Sequence, residues 1–136
     1  MATVEDILMS KGPDIIVADP STTVHEATVL MCEANVGAVV IKEQNEARGI
    51  FTERDLLRRV VVPGRNPDQI ELREVMTSPV RSVSLGADVR ECREIFTREH
   101  LRHLAVVEEG ALLGMISLRD VLAVEVAEDE QLLQDR

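Results

Sequence analysis

The chain has 136 residues, of which 45% are hydrophobic, and its 25 acidic and 15 basic side chains give a formal net charge of −10. Size and hydrophobic content are typical of a single globular domain, whereas the negative charge disfavours nucleic acid or an anionic membrane as a partner. Because the N-terminus is acidic and no apolar run approaches about 18 residues, we expect no signal peptide, no membrane span and a cytoplasmic location.

The predicted elements follow the same order in each half of the chain. In the first half they are a short acidic and apolar turn at 4–8, a strand at 15–17, a helix at 24–34 with Thr23 among its candidate N-caps, strands at 38–41 and 49–51, and a closing helix at 53–62. In the second half they are a turn at 72–76, a strand at 80–83, a helix after the N-cap Asp88, strands at 104–107 and 113–116, and a closing helix at 118–127.

This order reflects an internal repeat. The run Gly-Ile-Phe-Thr-Glu-Arg-Asp at 49–55 returns as Gly-Met-Ile-Ser-Leu-Arg-Asp at 114–120, an offset of 65 residues, and 13–62 can be laid on 78–127 without a gap. Self-similarity at a fixed offset indicates a repeated structural unit. Each unit is too small to bury a good core alone, so we predict an α/β fold in which the two copies form one domain.

The repeat marks one polar pair twice, a hydroxyl and a carboxylate three residues apart: Thr52 with Asp55, and Ser117 with Asp120. Each pair opens a predicted helix, so a capping box is one interpretation. The other is a ligand site, because a helix N-terminus favours phosphate and a carboxylate can accept both hydroxyls of a ribose. Both interpretations stay open, and the two roles can coexist.

Two such runs in register, each behind two apolar strands, resemble a tandem pair of CBS (cystathionine-β-synthase-type) domains, or Bateman module. The resemblance implies two β-α-β-β-α repeats, at 7–66 and 74–131, related by a pseudo-two-fold axis in one compact module. It also implies adenosine-type ligands (AMP, ADP, ATP or S-adenosylmethionine) in clefts between the repeats, control of a separate effector protein, and homodimerisation. A ligand-free dimerisation or interaction module is the alternative function.

The resemblance assigns ligand contacts to the two hydroxyl–carboxylate pairs and places Arg102 and His103 near the ligand phosphates. Arg54 is a further candidate for phosphate contact, although a solvated helix face is the alternative. Since Gly37-Ala38 stand where the second repeat has Arg102-His103, the two sites should differ, with the Asp120 site better suited to a charged nucleotide.

Catalysis and metal binding find little support in the sequence. No nucleophile lies in a recognisable pattern with a base, so we expect no enzymatic activity. His100 and His103 have the spacing of helix neighbours, but zinc would need two further ligands and no paired cysteines supply them. Cys32 and Cys92 both fall in predicted helices, and we expect both to be buried, reduced thiols.

Overall fold

The structure, a computed structural model, describes residues 2–12 and 15–134. Its helices are α1 (Val4–Lys11), α2 (Val24–Ala34), α3 (Glu53–Asp55), α4 (Leu72–Val75), α5 (Val89–Glu99) and α6 (Leu118–Gln134). Its strands are β1 (Val17–Ala18), β2 (Ala38–Glu43), β3 (Glu46–Thr52), β4 (Ser82–Val83), β5 (His103–Glu108) and β6 (Ala111–Ser117). The predicted α/β class and the repeated order of elements are confirmed.

The chain divides into two compact units. Residues 15–80 form one, called here the first-repeat unit, and residues 1–14 with 81–136 form the other, the second-repeat unit. Each unit contains a three-stranded sheet, ordered β1-β2-β3 or β4-β5-β6, whose first pair is parallel and second pair antiparallel. The antiparallel register shifts at equivalent places, between Ile41 and Lys42 and between Val106 and Val107.

The helix starts follow the sequence signals. Thr23 Oγ1 accepts a hydrogen bond from the Glu26 N–H (3.1 Å) at the start of α2, and Asp88 Oδ1 accepts one from the Glu91 N–H (2.9 Å) at the start of α5. These caps satisfy amides that have no partner within the helix. In both repeats, therefore, the first long helix begins where the sequence predicts.

Each unit has its own apolar core. One helix and one sheet face of the first-repeat unit pack together through Val24, Ala27, Met31, Val39, Ile41 and Phe51, and the second-repeat unit uses Val89, Cys92, Phe96, Leu104, Val106 and Ile116 in the same way. The neighbouring strand residues Ala38, Val40 and Ala105 are also fully buried. The middle strands are thus buried on both faces, as their continuous apolar runs predict.

The short helices α1 and α4 are exchanged between the repeats. The sequence order places each at the head of its own repeat, but α1 buries Val4 and Ile7 in the core of the second-repeat unit, and α4 buries Leu72 and Val75 in that of the first. Backbone bonds are equivalent: the Val4 N–H donates to Ala87 O (2.9 Å), and the Leu72 N–H donates to Thr22 O (2.9 Å).

Three further features concern the two closing helices and the cysteines. The closing helix of the first repeat is α-helical only over α3 and continues as a π-helical segment, Leu56–Val61, with the Val62 N–H donating to Leu57 O (2.9 Å). Its counterpart α6 runs to Gln134, well past 127. Cys92 is buried but Cys32 is exposed, because Cys32 lies outside the face of α2 that contains the buried residues Val24, Ala27 and Met31, so the prediction of a buried Cys32 was wrong.

Candidate functional site

The N-terminal turn of α6 contains the polar pair of the second repeat. The Ser117 N–H donates to Asp120 Oδ2 (2.8 Å), and the Asp120 N–H donates to Ser117 Oγ (3.1 Å). These reciprocal bonds form a capping box with Asp in the position normally held by Glu or Gln. The capping interpretation is therefore confirmed for this pair, and the ligand role of Asp120 stays a prediction.

A lysine from a distant part of the chain contacts the same carboxylate. Lys11 lies in the last turn of α1, and its Nζ is 2.8 Å from Asp120 Oδ2. The two side chains are 34% and 22% exposed. Asp120 Oδ2 thus accepts both from the Ser117 N–H at the start of α6 and from the ammonium at the end of α1.

The pKa of the Asp120 carboxyl reflects this environment. Burial alone acts to raise the pKa, but the hydrogen bond and charge of Lys11, together with the hydrogen bonds from Ser117, outweigh burial and hold the pKa below its ordinary value. The carboxylate is consequently ionised at neutral pH, the form needed to accept hydrogen bonds from a diol.

Arg102 and His103 lie beside this helix start. His103 begins β5 and is the ladder partner of Ser117 on β6, and the Arg102 carbonyl accepts from the Leu118 N–H (2.9 Å). The Arg102 side chain is exposed and that of His103 is half-buried. The structure therefore brings together four predicted site residues of the second repeat, Arg102, His103, Ser117 and Asp120.

The first repeat has the same backbone arrangement with different side chains. The Gly37 carbonyl accepts from the Glu53 N–H (3.1 Å), and Ala38 is the ladder partner of Thr52. Gly37 and Ala38 thus occupy the positions of Arg102 and His103, as the 65-residue offset predicts. Neither residue has a cationic side chain, so this half-site lacks the basic groups found at the start of α6.

Asp55 is held more tightly than Asp120. Its Oδ2 accepts from the Thr52 N–H (3.0 Å) and the Thr52 hydroxyl (3.2 Å), and the Asp55 N–H donates to Thr52 Oγ1 (3.2 Å). Its Oδ1 accepts from the Thr77 hydroxyl (3.0 Å) and lies 3.7 Å from Arg59 Nε. Only 7% of Asp55 is exposed, so a ligand would have to displace internal partners from both oxygens.

A third box of the same type indicates how general this cap is in the chain. At the start of α1, the Thr3 N–H donates to Asp6 Oδ2 (2.9 Å) and the Asp6 N–H donates to Thr3 Oγ1 (3.4 Å). The sequence Thr-x-x-Asp therefore caps helices here without belonging to the repeated motif. Capping alone accounts for the local geometry, and a ligand role needs support from neighbouring groups.

The arginines in and after the first box have separate environments. Arg59 donates from Nη1 to the carbonyls of Val75 (3.1 Å) and Met76 (2.9 Å), which stabilises the end of α4, and Arg65 pairs with Glu74 at 3.0 Å. Arg54 and Arg58 are exposed on the closing helix. Phosphate contact by Arg54 stays a prediction, whereas Arg59 and Arg65 interact with α4.

Sequence reasoning missed Lys11, Thr77 and Arg59 as partners of the two carboxylates. Lys11 is 109 residues from Asp120 and Thr77 is 22 residues from Asp55, so no local spacing connects them. Only the i, i+4 spacing of Asp55 and Arg59 on one helix offered a signal.

The glycines that begin the two repeated motifs make room for the exchanged helices. A Cβ added at Gly49 would lie 2.8 Å from both the Met76 sulfur and the Thr77 carbonyl oxygen, and one added at Gly114 would lie 3.0 Å from Leu8 Cδ2. Leu8 belongs to α1 and Met76 follows α4. Glycine at these positions therefore allows α1 and the end of α4 to approach the strands that lead into the boxes.

Within residues 2–12 and 15–134, no three His, Cys, Asp or Glu side chains are grouped closely enough to hold a metal ion. His100 is the left-handed C-cap of α5 (φ 56°) and His103 begins β5, so their helix-like spacing was a wrong interpretation. None of the described helices has the length and apolar character required to cross a membrane.

Comparison with known proteins shows which family this chain resembles. The family model for the CBS domain matches residues 4–62 and 72–127. An uncharacterised protein of Methanopyrus kandleri is 38% identical over 114 residues, which are 82% of this chain and 58% of that protein. This chain therefore spans less than two thirds of that relative.

Two solved structures extend the comparison to the fold. A CBS-domain containing protein from Agrobacterium tumefaciens is 33% identical, with a TM-score of 0.86 and coverage of 91% of this chain and 99% of that one. A hexameric CBS-CP12 protein from bloom-forming cyanobacteria is 26% identical, with a TM-score of 0.81 and coverage of 90% and 72%. Proteins with tandem CBS domains are generally regulatory modules. Because the family model matches both repeats, this chain belongs to the CBS domain family.

Proposed function

We propose that this chain is a non-catalytic regulatory module that binds an adenosine-containing nucleotide and controls a separate partner protein. AMP, ADP, ATP and S-adenosylmethionine are the candidate ligands. The observation that carries the proposal is the grouping of Asp120, Ser117, Arg102 and His103 at the start of α6. An ionised carboxylate beside a basic residue matches the two polar parts of a nucleotide, its ribose diol and its phosphate.

The charge distribution favours the second-repeat unit as the place of binding. Any anionic ligand approaches a chain of net charge −10, so it depends on local cations. Lys11 and Arg102 provide two near Asp120. By contrast, Asp55 has internal partners on both oxygens, and its half-site has Gly37 and Ala38 in the basic positions.

Thermal unfolding in the presence of each candidate ligand tests this proposal. A ligand that binds only the folded protein stabilises it by about 2.7 kcal/mol at a concentration of 100 Kd, which would raise Tm by several degrees. We expect such a rise with at least one adenosine nucleotide and its loss in Asp120→Ala. No rise with any of the four ligands would favour the alternative, a ligand-free dimerisation or interaction module.

We also propose that the chain forms a homodimer through its closing helices. Leu57 and its repeat counterpart Leu122 are 58% and 47% exposed, and Val61 and its counterpart Val126 are 59% and 55% exposed. In each closing helix the two side chains are four residues apart and are therefore neighbours, and contiguous exposed apolar side chains are typical of interaction surfaces. The hexameric assembly of the related CBS-CP12 protein supports self-association of this fold.

A further inference from the structure

The Lys11 ammonium occupies the carboxylate oxygen that a ribose diol would need. Asp120 Oδ2 accepts from the Ser117 N–H and from Lys11 Nζ, both at 2.8 Å. A diol that engages both oxygens of Asp120 has to share or replace one of these donors. The Ser117 N–H is fixed by the backbone, so Lys11 is the donor that can leave.

The ion pair is not needed to hold α1 in place. Val4 is fully buried and Ile7 is 3% exposed in the core of the second-repeat unit, and the Val4 N–H donates to Ala87 O. Partly exposed ion pairs contribute about 0–1 kcal/mol. Breaking the contact between Lys11 and Asp120 therefore leaves α1 anchored, and the flexible lysine side chain can move while the backbone stays in place.

The chemistry of the ligand determines what the released ammonium gains. The ribose of a neutral nucleoside would displace Lys11 from Asp120 and provide no new partner for the ammonium. S-adenosylmethionine has a positively charged sulfonium at the ribose 5′ carbon, where AMP has its phosphate, and its anionic carboxylate lies further along the methionine chain. A nucleotide phosphate, in contrast, offers the ammonium anionic oxygens and a charge-assisted hydrogen bond.

We propose that Lys11 is an exchangeable occupant of Asp120 that transfers to the ligand phosphate, so that this half-site selects an anionic ribonucleotide over adenosine or S-adenosylmethionine. This inference rests on the proposed nucleotide-binding function and assigns it a specificity-determining residue outside the repeated motif. The first repeat offers no equivalent exchange, because Asp55 Oδ1 is occupied by the neutral hydroxyl of Thr77, with Arg59 nearby.

Calorimetric titration of the full chain with AMP, adenosine and S-adenosylmethionine tests the exchange. The readout is the ratio of the adenosine Kd to the AMP Kd, which a general loosening of the site leaves unchanged. We expect Lys11→Met to lower this ratio about tenfold, since a charge-assisted bond to phosphate is lost, while adenosine binds equally well or more tightly. Lys11→Arg should keep the preference for AMP.

Lys42→Met is the matched control, because Lys11 and Lys42 are the two lysines of the chain and Lys42 lies on β2 of the first-repeat unit. It should leave the ratio unchanged. An equal loss of AMP and adenosine affinity in Lys11→Met, or tighter binding of S-adenosylmethionine than of AMP to the wild type, would overturn the inference while leaving nucleotide binding in place. If the wild type binds neither adenosine nor S-adenosylmethionine, and none of AMP, ADP and ATP, the proposed function fails, and the inference fails with it.

Discussion

Gly49 lies so close to the segment after α4 that a Cβ at this position would be 2.8 Å from the Met76 sulfur and equally close to the Thr77 carbonyl oxygen. The Ile50 N–H donates to the same carbonyl (2.9 Å), and the Thr77 N–H donates back to Ile50 O (2.8 Å). This backbone pairing positions the Thr77 hydroxyl against Asp55. The absence of a side chain at Gly49 therefore allows the approach that places the Thr77 hydroxyl against Asp55.

We predict that Gly49→Ala destabilises the protein more than Gly114→Ala. At Gly49 the added methyl group meets backbone that is held by two hydrogen bonds, so the strand or the segment has to shift, at a cost of about 1–3 kcal/mol. At Gly114 it meets the end of the flexible Leu8 side chain at 3.0 Å, which can move. Urea unfolding of both variants measures the difference, and equal losses would contradict the structural distinction.

The two carboxylates should respond differently to truncation. We predict that Asp55→Ala lowers the free energy of unfolding by about 1–3 kcal/mol, because it leaves the partly buried Thr77 hydroxyl and the Thr52 N–H without an acceptor. Asp120→Ala should lower it by about 1 kcal/mol, the typical effect of a lost cap. For AMP affinity the order reverses, with a loss of about tenfold or more in Asp120→Ala.

Denaturant curves combined with calorimetry in the same buffer measure both properties. Asn at each position is a useful control, since it keeps one oxygen for the helix cap. Unchanged AMP affinity in Asp120→Ala, despite clear binding to the wild type, would remove the ligand role of this carboxylate.

A pH dependence follows from the contact between Lys11 and Asp120. The folded-state pKa of Asp120 lies below its ordinary value, so its contribution to stability is fully present above the unfolded-state pKa of about 3.9 and is lost as pH falls through the folded-state pKa. We predict that Lys11→Met is less stable than wild type by at most about 1 kcal/mol at pH 7. This difference in stability should shrink below pH of about 4, where Asp120 becomes protonated. Urea midpoints of both proteins at several pH values measure it. A difference that grows as the pH falls would contradict the prediction.

The repeat explains why so much of the fold could be predicted. Hydrophobic periodicity and caps such as Thr23 and Asp88 act within a few residues, and the 65-residue offset carried the assignment from one repeat to the other. The exchange of α1 and α4 could not be predicted this way, because a short amphipathic helix fits either core equally well by pattern. The π-helical segment after Asp55 could not be predicted either, because the hydrophobic pattern of the sequence does not distinguish a π-helix from an α-helix.

The candidate site could be predicted only in part, because some of its contacts join residues that are far apart in the sequence. The positions of Ser117, Asp120, Arg102 and His103 beside one another follow from strand pairing and the repeat. The contact of Lys11 with Asp120 depends on the packing of α1 in the second-repeat unit. The hydrogen bond from Thr77 to Asp55 depends on the position of the segment after α4. Contacts between residues so far apart are set by tertiary packing, which local patterns do not encode.

The two cysteines should differ strongly in reactivity. Burial, together with the charges of Glu91 and Asp88, raises the pKa of the Cys92 thiol to about 11, and thiols react as thiolates. Cys32 is exposed on α2. We predict that a thiol reagent at pH 8 rapidly modifies Cys32 alone and reaches Cys92 only on unfolding; Cys32→Ser should abolish the fast reaction. Rapid modification of folded Cys32→Ser would contradict the burial of Cys92.

Self-association should depend on the duplicated apolar positions of the closing helices. We predict a dimer in sedimentation at micromolar concentration, and dissociation to the 15.1 kDa chain when Leu57 and Leu122 are both changed to Lys, because charged groups at the centre of an apolar interface would lose their hydration. Both side chains are already about half exposed in the single chain, so the substitutions should leave the fold intact. Met9→Lys is the control, since Met9 is 79% exposed but lies on α1. Circular dichroism confirms folding of each variant; a wild-type monomer, or a double variant that stays dimeric, would show that these helices do not mediate assembly.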